Sequence, residues 1–71
     1  MTKPGFIKLA ARVVKRERKK SGLNQTEFAR LVGASQAAVS KVENAQQAPG
    51  LFEWLRFCRA FKINPTLEGE K

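Results

Sequence analysis

Histidine and tyrosine are absent from this 71-residue chain, and cysteine occurs once, at Cys58. Together these gaps remove most of the groups that serve as general bases, nucleophiles and metal ligands. No paired carboxylates sit in an apolar setting and no glycine-rich phosphate loop is present, so an enzyme is not expected. Nothing implies a metal, a cofactor or a small-molecule substrate. A single cysteine rules out an intrachain disulfide, and Cys58 reads as a small buried hydrophobe. Apolar runs are short as well. The opening stretch MTKPGFIKLAARVVKRERKK lacks the uninterrupted core of a signal peptide. No later run approaches the roughly 18 apolar residues of a membrane span, so no membrane role is expected and the chain reads as cytosolic. Acidic residues are few: six against fourteen Lys and Arg, a net charge of +8 and a pI near 10.4. Such an excess points to a polyanionic partner. It is unevenly spread, with ten cations and two Glu in residues 1–41 against four and four in residues 42–71. The length allows one domain with a modest core, which compact helices with local contacts form most easily.

The most informative stretch runs from Asn24 to Asn44, NQTEFARLVGASQAAVSKVEN. Asn24 followed three residues later by Glu27 is a capping box, so a helix is predicted over about 25–32 with Phe28, Leu31 and Val32 facing inward. Gly33 ends it, because the residue past a helix end often needs positive φ. Ser35 caps a second helix, about 36–43, in which Val39 and Val42 point inward while Gln36, Ala37, Ser40 and Lys41 share the outward face. Two helices joined by so tight a turn cross steeply and need a small residue at mid-helix, which Ala29 supplies. Ala29, Gly33 and Val39 together carry the spacing of a helix-turn-helix.

Before this pair, Thr2 can cap a helix over about 5–20 with Pro4 in its first turn. Its inward face is Phe6, Leu9, Ala10, Val13 and Val14, and its other faces are basic, ending in KRERKK. Lys19 and Lys20 stand where phosphate contact is expected. Leu23 acts as a staple beside the Asn24 cap. After the pair, AQQAPG leads to a fourth helix over about 51–61, with Leu51, Trp54, Leu55, Cys58 and Phe61 to close the core. Phe52 and Phe57 are left as an exposed partner surface. One turn around Pro65 to Leu67 is expected in the tail, 62–71.

From about Val13 to Asn64 the chain resembles the DNA-binding domain of the phage Cro and repressor group, the xenobiotic-response-element family of regulators. Gly-Leu-Asn-Gln opening the second helix, Ser-Gln opening the third, Val-Glu-Asn closing it and a proline before the fourth carry the likeness. The resemblance implies an all-α bundle of four to five short helices whose third helix enters the major groove. It implies base contacts from Gln36, with its amide on adenine N6 and N7, from Ala37 on a thymine methyl, and from Ser40 and Lys41. Phosphate contacts fall to Asn24, Gln25, Ser35, Asn44, Gln46 and Gln47, with Gln25 also bracing Gln36. Arg18 and Glu43 are expected to form an ion pair between the first and third helices. The chain departs from the group at Glu17, where leucine is usual, and at Ala45 and Lys62, where glycine is usual. The loop after Asn44 is therefore expected to take a different path.

The function expected is sequence-specific binding of double-stranded DNA by a phage- or plasmid-type repressor in the prokaryotic cytosol, associated with the nucleoid. It would act on a palindromic operator, as a homodimer at least when bound. The alternative is an antitoxin or adaptor protein whose fourth helix meets a partner protein. An RNA or single-strand binder is weaker, since the aromatics do not interleave with the basic residues.

Overall fold

The four helices among the described residues stop in a similar way, and the stops decide where each next element points. The computed structural model describes residues 4–69, with α1 at Pro4–Lys20, α2 at Gln25–Val32, α3 at Gln36–Glu43 and α4 at Leu51–Phe61; no strand occurs among the described residues. The proposed Thr2 cap lies outside them. After α2, Gly33 turns left-handed at φ 71 and the Ala34 amide reaches back to the Ala29 carbonyl at 2.9 Å. After α1, the Leu23 amide donates to Arg18 across Gly22 at 3.3 Å. The same five-residue closure follows α3, where Gln46 donates to Lys41, and α4, where Ile63 donates to Cys58, both at 2.9 Å. Here the left-handed residues are Ala45 and Lys62, each at φ 56. Ala45 stands where glycine is usual in the family that the chain resembles. It adopts the strained conformation itself, at about 1–2 kcal/mol for a residue with a Cβ.

The helix starts follow the local chemistry. The Asn24 side chain accepts from the Glu27 amide at 2.8 Å while the Glu27 carboxylate accepts from the Asn24 amide at 2.9 Å. Ser35 Oγ accepts from the Ala38 amide at 3.1 Å. The core between them takes Ala10, Val13 and Val14 from α1, Phe28, Ala29 and Val32 from α2, Val39 and Val42 from α3, and Trp54, Phe57 and Cys58 from α4. Phe28 is its hub, with ring centroids 5.1 Å from Phe57 and 4.9 Å from Phe61. Phe6 meets Trp54 edge-on at 5.5 Å.

Four apolar assignments change. Phe57, expected outside, is fully buried, whereas Leu51 and Leu55, expected inside, are 69% and 43% exposed. Trp54, Phe57, Cys58 and Phe61 recur at i, i+3, i+4 and i+7, and with about 100° per residue this stripe leaves Phe52 on the opposite side. Leu31 is 61% exposed, because Phe28, Ala29 and Val32 already fill the inward side of a two-turn helix. The tail contributes more than expected: Ile63 and Leu67 are buried. It holds a turn closed by Leu67 donating to the Asn64 carbonyl at 2.8 Å, and Trp54 Nε1 donates to the Pro65 carbonyl at 2.9 Å. No described helix is long and apolar enough to cross a membrane.

Candidate nucleic-acid interface

The capped start of α2 and the capped start of α3 meet through their first side chains. Gln36 Nε2 donates to Gln25 Oε1 at 2.7 Å, although eleven positions separate the two residues. Gln25 in turn donates from Nε2 to Glu43 Oε1 at 3.1 Å. Glu43 is the last residue of α3 and the one buried charge among the described residues. It is met by Arg18 from α1, whose Nε donates to Glu43 Oε2 at 2.7 Å and whose Nη2 donates to Oε1 at 3.1 Å. The remaining Arg18 nitrogen, Nη1, donates to the Leu23 carbonyl at 2.8 Å. The chain of contacts therefore runs from the α1–α2 turn through a nearly dry ion pair to an exposed amide on α3. Both charges are hydrogen-bonded as well as paired, which is what burial of charge requires.

Outward from this chain, Gln36, Ala37 and Lys41 are exposed on α3, and Ser40 is half-buried beside them. Ser40 Oγ accepts from Asn44 Nδ2 at 3.3 Å, so these two side chains are joined. Gln46 and Gln47 are exposed in the turn that follows. Asn24 and Ser35 are exposed while their oxygens cap α2 and α3. Lys19 and Lys20 are exposed at the end of α1, with Lys20 3.8 Å from Glu17. Glu17, half-buried, also accepts from Arg16 Nε at 2.9 Å, so the departure from leucine leaves it among cations. Phe52 is 74% exposed on α4, and Phe57 belongs to the core, so the two do not form a common surface. The sequence reading did not anticipate the Gln25–Glu43 bond. The only available signal was that Glu43 follows Val42 at the closing end of the inward stripe.

A short helix with a small, polar and cationic outward face, joined to the helix before it by a left-handed glycine turn, is the arrangement that fits a major groove about 12 Å wide. The family model for this helix-turn-helix matches residues 14–67, most of the chain. The chain belongs to the Cro and repressor type helix-turn-helix family. It is a helix-turn-helix transcriptional regulator, and its ligand is double-stranded DNA. No curated protein matches the chain closely enough to count as a relative. The match spans all of α2, α3 and α4 and ends at Leu67, the last buried residue of the tail. Cys58 lies in the core of this helix-turn-helix domain; burial pushes its thiol up to about 11, so it stays protonated at neutral pH.

Proposed function

We propose that this regulator is a repressor of phage or plasmid type that blocks a promoter by seating α3 in the major groove of an operator. Gln36 pairs with adenine through N6 and N7, Ala37 packs on a thymine methyl, and Ser40 and Lys41 read the following positions. Asn24, Gln25, Ser35, Asn44, Gln46, Gln47, Lys19 and Lys20 hold the phosphates on either side, supplying register and most of the affinity. The observation that carries this reading is Gln36, exposed at the first turn of α3 with its amide held by Gln25 at 2.7 Å. The longest extent of the chain is 27 Å, less than the roughly 34 Å between half-sites in such operators. A palindromic operator in the nucleoid is thus covered by two copies, paired at least when bound. The test is selection of bound sites from a random duplex pool: a palindrome with adenine at a fixed place in each half is expected. A pool with no enriched motif would defeat the reading.

A second reading, an adaptor or antitoxin that meets a partner protein through α4, is favoured by Leu51, Phe52 and Leu55 standing together on one exposed face. It no longer includes Phe57. Under this reading Phe52→Asp leaves the selected DNA motif intact and abolishes repression in cells. Under the first reading it alters neither.

A further inference from the structure

We propose that Glu43, which lies buried behind the reading face, sets the base preference of Gln36 by fixing which end of two successive amides turns outward. The proposal rests on the reading of Gln36 as a base contact. A carboxylate can only accept hydrogen bonds, whereas a glutamine amide has a donating and an accepting end. Oε1 of Glu43 lies 3.1 Å from Gln25 Nε2, so Gln25 must turn its NH2 group inward. Its oxygen then faces Gln36 and accepts from Nε2 at 2.7 Å. Gln36 is left with one N–H and its oxygen in a single sense. Adenine offers an acceptor at N7 and a donor at N6, so one sense of the amide matches and the reversed sense sets oxygen against N7 and NH2 against N6. The fixed point of this relay is the ion pair itself. Arg18 occupies both oxygens of Glu43 from the other side, and Leu23 holds Arg18, so the carboxylate cannot rotate away. Glu43 is accordingly a positioning residue that touches no DNA.

Glu43→Gln tests the relay. The new NH2 group faces an Arg18 donor in either place, Nε at 2.7 Å from Oε2 or Nη2 at 3.1 Å from Oε1. Only at Oε1 does a neighbouring amide, Gln25, stand ready to turn and accept from it. It takes the place of Oε1, donates to Gln25 and reverses both amides. The expected result is a folded variant whose random-pool selection loses adenine at the Gln36 position, with discrimination there changed by roughly tenfold or more, and whose binding to mixed-sequence duplex is little altered. A folded Glu43→Gln protein that selects the parent motif with the parent discrimination would overturn the proposal. Gln36→Ala, run in parallel, separates the two possible failures: if its pool equals the parent's, the base contact itself is wrong, whatever Glu43 does. Should Glu43→Gln fail to fold, the pair Arg18→Met with Glu43→Met removes both charges at similar volume. It is expected to keep the fold and flatten the preference for adenine, and a retained preference would count against the relay. In the unmodified protein, hydrogen exchange of side-chain amides gives an independent reading. Gln25 and Gln36 should each show one slowly exchanging amide proton, unlike exposed Gln46 and Gln47, and uniformly fast exchange would remove the relay.

Discussion

The outward faces of α3 and α4 are built on opposite principles. On α3 the exposed side chains are small or polar, and the amides at its two ends are tied back: Gln36 to Gln25 and through it to a buried ion pair, and Asn44, the residue after the helix, to Ser40. On α4 three large apolar side chains, Leu51, Phe52 and Leu55, stand exposed alongside Arg56 and Arg59, and they flank the stripe that packs into the core. A face preorganised by internal hydrogen bonds loses little freedom when it meets a rigid partner, and polar edges gain most from such preparation. An apolar face needs no such support, because burial rewards area and is indifferent to direction. The difference teaches that exposure alone does not distinguish a preorganised polar face from a bare apolar one; support from behind does.

The comparison can be broken first by salt. With about six phosphates neutralised, affinity for duplex DNA is expected to fall about a thousandfold between 50 and 200 mM salt, each contact adding about 0.9 to the log-log slope. Any association through α4 is expected to hold or strengthen over the same range, and titrations followed by fluorescence anisotropy would separate the two. Next in size are the truncations. Phe57→Ala should lower unfolding stability by about 3–5 kcal/mol, while Phe52→Ala stays within about 0.5 kcal/mol, both read by urea denaturation. Equal losses would mean that α4 is rotated from its described setting. Glu43→Ala, which strands the Arg18 guanidinium, belongs with the larger loss at about 3–5 kcal/mol. Gln36→Ala should reduce discrimination between selected and altered sites by about 1–3 kcal/mol without touching stability, as competition binding would report. The smallest effect is expected at the helix stops. Lys62→Gly should raise the stability by about 0.5–1 kcal/mol, the relief of a left-handed Cβ less the added chain entropy of glycine, visible as a higher thermal midpoint.

The helices and their caps were legible because capping is a contact between near neighbours. Asn24 with Glu27, Ser35 with Ala38 and the left-handed Gly33 need only a few residues of sequence to be specified. The outward face of α3 was legible for a related reason, since Val39 and Val42 claim the inside and leave Gln36, Ala37 and Lys41 outside. The rotation of α4 was not. Six of its eleven residues, Leu51, Phe52, Trp54, Leu55, Phe57 and Phe61, are large and apolar, and several stripes satisfy the same periodicity. Choosing among them depends on where Trp54, Phe57 and Phe61 find partners, and those partners lie on α1, α2 and the tail: Phe6 and Pro65 for Trp54, Phe28 for Phe57 and Phe61.

By itself the sequence determined what depends on short range and on totals: four helix starts and stops, a cationic first half, and a helix-turn-helix of the Cro and repressor type. Only the tertiary structure decided which aromatics of α4 are inside, that Ile63 and Leu67 complete the core, and that Arg18, Glu43, Gln25 and Gln36 join in one hydrogen-bonded chain. Those contacts span up to 25 positions, and the direction of a hydrogen bond between distant side chains is a property of packing that no local pattern encodes.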